Sequence, residues 1–342
     1  MRSSLRLLLL LTPLLFASCD REARNEAPEH PPVRVERIAY AGWEGAWKLS
    51  SAHLEAVVVP QIGRVMQCSK PGGPNLLWQD PSLHGKTLSG EPKDWMNFGG
   101  DKVWPAEQKQ WPKLVGRGWP PDTAFDGMPC AAEAIPGGVR IAGPVSKPLG
   151  ARYVREITLL PGRAALRVRQ WIEKTTGEPK PLTLWNVTQI AQPEFAFMPA
   201  GAKEEIHELI GVKDHSEFEF DAAARAVTIR DHEKKSMKIG VRGAESWAAA
   251  KVGTALFVES RRLEPDAAYP DGGCHAEIYT APRPTGYTEL ELLSPMRELK
   301  AGETLRSDMV WTLLDVPAGA KLDALAKTAR EAHAQALKEW GD

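Results

Sequence analysis

From residue 34 to 316 the chain is written in short β-patterned runs broken by turn residues, and this rhythm restricts its fold more than any other feature. The clearest unit is YVREITLLPGRAALRVRQWIEK (153–174), where Pro161-Gly162 turns the chain between two arms. The second arm alternates Leu166 and Val168 with Arg167 and Arg169, the period of a strand with one buried face. HLEAVVVPQIGRVMQC (53–68) is apolar and β-branched, broken at Pro60 and Gly63. Further predicted strands are PLTLWNVTQI (181–190), SEFEFD (216–221), RAVTIRD (225–231), TALFVES (254–260), TELELL (288–293) and LRSDMVWTLL (305–314). No helical runs alternate with them, so βαβ architectures are excluded and an all-β sandwich or barrel is expected. The one predicted helix is AKLDALAKTAREAHAQALKEW (320–340), with a stripe of Leu322, Leu325, Ala329, Ala332 and Ala336. It is expected to pack on the outside of a sheet. Neither repeat nor linker interrupts this region, so one large domain is expected over 34–342.

The opening MRSSLRLLLLLTPLLFASCD reads as a signal peptide over 1–18: Arg2 and Arg6 form a basic n-region, and the apolar run 7–17 is too short to span a bilayer. Its ending, Leu15-Phe16-Ala17-Ser18-Cys19, resembles the lipobox of bacterial lipoproteins, which makes Cys19 the expected lipidation site; plain secretion is the alternative. Residues 19–33 are charged and proline-bearing, a tether. The expected location is the cell envelope, on its periplasmic or extracellular face, with the chain held to the membrane by lipid on Cys19. Cys68, Cys130 and Cys274 remain, and in an oxidising compartment two of them could pair, though spacing does not choose which. No zinc-ligand spacing occurs, and no metal or cofactor is expected. With 43 basic and 44 acidic residues and no basic stripe, the chain does not read as a nucleic-acid binder.

Residues 96–122, MNFGGDKVWPAEQKQWPKLVGRGWPPD, have no helix or strand period and are predicted to form a long irregular loop. Trp95, Trp104, Trp111 and Trp119 fall in or beside it. Indoles here can pin the loop down as a satellite core, or wall a ligand site, since an indole stacks on the C–H face of a sugar ring while its N–H still donates. Asn97, Asp101 and Lys102 supply polar groups in the same stretch. Long ordered loops are usually functional, which favours a binding surface. In GYTELELLSP (286–295), Tyr287, Glu289 and Glu291 share one strand face and Leu290 and Leu292 the other. Two carboxylates roughly 7 Å apart are primed for proton transfer if they line a cavity. Alternation by itself suits a solvent-facing strand better.

The order of segments from 151 to 312 resembles the galactose mutarotase (aldose 1-epimerase) superfamily, which implies a β-supersandwich. The residues carrying the resemblance are VVVPQIGRVMQ (57–67), NFGGDKVWP (97–105), PLTLWNVTQI, the Leu290-Glu291 strand with Pro295, the Ala301-Gly302-Glu303 turn and Trp311. GGDKVWPA, WNVTQ and ELELLSP are similar, more narrowly, to an uncharacterised bacterial domain family of that superfamily. The resemblance implies that Glu291 is the base that takes the anomeric hydroxyl proton. It also implies two histidines, but Val187 and Phe98 stand at those places. The acid half of the mechanism therefore has no obvious owner, with Glu289, Asp101 or Lys102 as substitutes and His275 as a remoter one. Arg64 sits where related proteins often turn an arginine toward ligand; an exposed loop arginine is the alternative.

These readings converge on an envelope-anchored protein that binds or modifies carbohydrate. The expected site comprises Glu291 and Glu289 as catalytic carboxylates, with Arg64, Asn97, Asp101, Lys102, Trp104, Trp119, Trp185, Asn186 and Gln189 as substrate contacts. Alternatives are an active epimerase with Glu291 as base, a polysaccharide hydrolase or lyase needing a second acid across the cavity, and a non-catalytic structural lipoprotein.

Overall fold

A computed structural model describes residues 32–88, 90, 94–212, 217–230 and 232–340. The expected signal peptide, Cys19 and nearly all of the tether lie outside the described residues. Two antiparallel sheets make the body. The first has ten strands, in the spatial order Arg34–Tyr40, Trp43–Ser50, Glu55–Val59, Arg64–Ser69, Asp101–Trp104, Trp185–Ala191, Tyr287–Leu293, Ala276–Thr280, Met237–Val241 and Ile206–Ile210. The second, of eleven, centres on Ala255–Arg261, Met309–Asp315, Ala165–Lys174 and Ala151–Leu159. The predicted hairpin forms as read: Leu159 pairs Leu166, Leu166 and Val168 are buried, and Arg169 is exposed.

Leu290, Leu292, Ile190 and Ile278 of the first sheet join Ile157, Leu166, Val168 and Trp311 of the second in one hydrophobic core. This fixes which face of the first sheet looks away from its partner sheet. On the second sheet's outer face, the helix Leu322–Glu339 seats Leu325, Ala326, Ala329 and Ala332 on Phe197, Trp247, Leu256 and Val258. The apolar stripe read from sequence is the one that packs.

Two expectations fail in part. The segment 96–122 is not wholly irregular, because Asp101–Trp104 is an inner strand paired with Trp185–Thr188, and Trp111–Val115 is a short helix. All four residues of that strand are buried, so no polar alternation marks it. The predicted strand 305–314 divides into Thr304–Arg306 and Met309–Asp315, both pairing with Ala165–Lys174. Cys68, Cys130 and Cys274 are all free thiols, with burial pushing Cys68 up to about 12 and Cys130 to about 11.

Candidate functional site

Strand alternation sorts the expected site residues onto two faces. Across three adjacent strands Trp104 pairs with Trp185 and Lys102 with Val187, while Val187 pairs with Glu291 and Gln189 with Glu289. Partners directly opposite one another share a face, so Lys102, Trp104, Trp185, Gln189, Glu289 and Glu291 all point away from the second sheet. Asp101 and Asn186 occupy the alternate positions and point between the sheets.

On the outward side lies a cavity of about 460 Å³, walled by Trp95, Trp104, Trp119 and Trp185, with Glu289, Glu291 and Lys238 among its polar lining. Tyr279 and Tyr287 add two more aromatic rings. The volume falls in the range of roughly 300–1,000 Å³ usual for small-molecule sites. Both Glu289 and Glu291 are buried, so the solvent-facing reading of their strand is wrong; a cavity takes the place of bulk water. Among the described residues that line it, these two are the only carboxylates, and they sit on one strand. The second acid across the cavity that a hydrolase or lyase would need is not among them.

The indoles are held by directed bonds. Asp126 accepts from Trp95 Nε1 at 2.6 Å, Trp104 Nε1 at 3.1 Å and Arg64 Nη2 at 2.8 Å. Trp104 and Trp185 meet edge to face at 5.0 Å between centroids, and Trp95 and Trp119 do so at 4.8 Å. Trp119 is 45% exposed, the most open of the four indoles. The indoles are thus both a satellite core and a cavity wall, the two alternatives at once.

Charge on the floor is buried and paired. Lys238 Nζ lies 2.5 Å from Glu277 and 2.8 Å from Glu291, and stands over the Trp185 ring at 4.5 Å. Trp185 Nε1 donates to the same Glu291 oxygen, Oε2, at 2.5 Å. Burial alone would lower the Lys238 ammonium, but Glu277 and Glu291 together outweigh it and hold it above its ordinary value. Lys102 differs. Its Nζ is 3.6 Å from Glu289, has no hydrogen-bond partner among the described residues, and lies over the rings of Trp104 and Trp95. Burial pulls its ammonium down, against the attraction of Glu289. Burial likewise raises the Glu289 carboxyl, opposed by Lys102 and reinforced by Glu291; Gln189 donates to it at 2.8 Å.

Several expected contacts belong elsewhere. Arg64 is fully buried and bound to Asp126 and the Gly99 carbonyl, so it braces the loop and is not among the cavity's lining residues. Asp101 is paired with Arg155 of the second sheet and accepts from Thr188 at 3.0 Å. Asn186 bonds Gln170 and Arg261 between the sheets. Asn97 is half-buried beside Tyr287, outside the cavity's lining residues. His275 is buried on the Gly243 carbonyl and does not line the cavity. Val187 and Phe98 are both fully buried. Lys238 and Tyr279 line the cavity without being expected there, and Trp95 is expected only as one of the loop's indoles. A lysine inside the otherwise apolar run Met237–Val241 was the available signal for the first.

In sequence, neither a family model nor a curated protein matches the chain. In structure, it superposes on a candidate aldose 1-epimerase from Klebsiella pneumoniae with a TM-score of 0.56 at 11% identity, over 89% of this chain and 87% of that one. A galactose mutarotase related enzyme from Lactobacillus acidophilus gives 0.51 at 9% identity, over 81% and 99%. A TPR-domain containing protein from Parabacteroides distasonis gives 0.54 at 14% identity over 80% of this chain, which spans about half (47%) of that protein. At these identities the likeness is one of fold.

Proposed function

Starting from a galactose mutarotase-like fold, we propose that this chain binds a saccharide in the indole-walled cavity. The observation that carries the reading is the convergence of four indoles and the Glu289–Glu291 strand on one hollow of about 460 Å³. Trp119 offers a ring to the sugar's C–H face, while Glu289 and Glu291 supply hydroxyl partners and Gln189, buried behind them, holds Glu289. Titration calorimetry and tryptophan fluorescence against neutral mono- and oligosaccharides test it. Trp119→Ala should weaken binding about tenfold or more with little change in Tm. No heat and no fluorescence change at millimolar sugar would end the reading.

One observation favours a second reading, an aldose epimerase with Glu291 as base. Val187 occupies the place of the family's acid histidine, and the cross-strand row that contains it runs Lys102–Val187–Glu291. In this reading Lys102, a buried amine with a lowered pKa whose Nζ lies 3.6 Å from the lining carboxylate of Glu289, is the proton donor. Freshly dissolved α-glucose or α-galactose followed by NMR should equilibrate faster with the protein, and Glu291→Gln and Lys102→Met should each remove the acceleration. Envelope anchoring belongs to the same proposal: mass spectrometry of the mature amino terminus should find lipid on Cys19, and Cys19→Ser should release the chain from membranes.

A further inference from the structure

A second hollow, of about 740 Å³, lies on the outer face of the second sheet beside the end of the helix Leu322–Glu339. Five arginines line it against three carboxylates, an excess of two positive charges. Each carboxylate is already engaged. Glu156 accepts from Arg140 at 2.6 Å, Asp308 from Arg167 at 3.2 Å, and Glu264 from Arg297 at 2.6 Å. Three guanidiniums remain without a carboxylate partner among the described residues. Arg169 is exposed and makes no ion pair; Arg306 lies over the Trp171 ring at 4.8 Å; Arg262 reaches only the Leu337 carbonyl at 3.5 Å.

Their placement follows from the register. Arg169 and Trp171 are two residues apart on one strand, hence on the same face and about 7 Å apart. Arg306 stands directly opposite Trp171 on Thr304–Arg306. Charge and ring therefore alternate along the groove, and Trp340 adds an indole to its lining.

We propose that this groove binds an acidic polysaccharide, one carrying carboxylate or sulfate groups along its chain. The proposal does not depend on the cavity reading above. Guanidinium forks match such anions in a bidentate way, and an indole beside them suits a sugar ring. The three interleaved carboxylates disfavour the continuous phosphate rows of a duplex. The lining contains no aliphatic side chain to enter a bilayer.

The test uses the full mature chain against polygalacturonate and heparin, with dextran, phosphatidylglycerol vesicles and duplex DNA as further arms. Polygalacturonate or heparin should bind at low salt and weaken as salt screens the contact. Arg169→Glu with Arg306→Glu should reduce that affinity about tenfold or more, while Tm and tryptophan emission stay at their wild-type values. Arg169→Glu alone should give a smaller loss in the same direction, and it decides the matter if the double variant does not fold. Failure of both acidic glycans to bind, binding indifferent to these reversals, or stronger binding to vesicles or DNA would each overturn the proposal.

Discussion

Lys238 Nζ lies 2.8 Å from Oε2 of Glu291, and both residues are buried at the indole cavity. The same ammonium is 2.5 Å from Glu277, so one positive charge holds two carboxylates in the interior of the first sheet. Replacing such a charge by an apolar side chain leaves its partners buried and unpaired, which costs about 3–5 kcal/mol. Lys238→Met should lose that much in urea unfolding. A loss under about 1 kcal/mol would show that water or a counter-charge replaces the lysine.

Lys102 should behave in the opposite way. It has no hydrogen bond among the described residues, and its nearest carboxylate, on Glu289, is 3.6 Å off. Burial already disfavours its charge. Lys102→Met removes a poorly compensated ammonium and keeps the bulk, so stability should stay within about 1 kcal/mol of wild type or rise. Saccharide affinity should nevertheless fall, because the charge beside Glu289 is lost. Denaturant melts and calorimetry on this variant and Lys238→Met together separate the lysine that holds the fold from the one that does not.

Much of this architecture can be read from period-two patterning, and the failures have physical causes. The hairpin around Pro161-Gly162 has one dry face and one wet one, so its alternation is visible. Asp101–Trp104 is dry on both faces and shows none, so it passes for loop. Glu289 and Glu291 were legible as a same-face pair, but which side that face meets depends on strands far away in sequence. Arg64 and Asp101 carry the right chemistry for a site and spend it on Asp126 and Arg155 instead. The arginine groove is the extreme case. Residues 140, 169 and 306 come from separate strands and 262 from just past the end of a fourth, so no linear run of basic residues announces it.

Gly99 and Gly100 feed the chain into the inner strand, at φ of +91° and +70°. A Cβ on Gly99 would meet the Trp78 carbonyl oxygen at 2.1 Å, and one on Gly100 the Val65 carbonyl oxygen at 2.4 Å. These are backbone atoms with nowhere to go. Gly99→Ala should therefore cost about 2 kcal/mol or more and displace the strand that carries Lys102 and Trp104. Unfolding curves measure the first effect. A shifted tryptophan emission in the folded variant measures the second, and wild-type values for both would refute the claim.

His333, in the helix packed on the second sheet, is 7% exposed, and burial pushes its pKa down to about 4. Glu245, itself paired with Arg330 at 3.1 Å, favours the imidazolium, and His275 opposes it. Neither offsets the burial. Between pH 4 and 6.5 the unfolded chain then binds more protons at this position than the folded one, so the contribution to stability rises with pH. It is fully present above about 6.5 and lost as the pH falls toward 4, a total of about 3 kcal/mol. Glu259 and Glu277, whose carboxyls burial raises, act with the opposite sign over part of this window, since their folded forms keep protons longer. The informative quantity is therefore the difference between wild type and His333→Gln in denaturant melts at each pH. That difference should change by about 3 kcal/mol between pH 7 and 4. A difference flat with pH would mean that the imidazole titrates alike in both states, and that the helix opens to admit the proton.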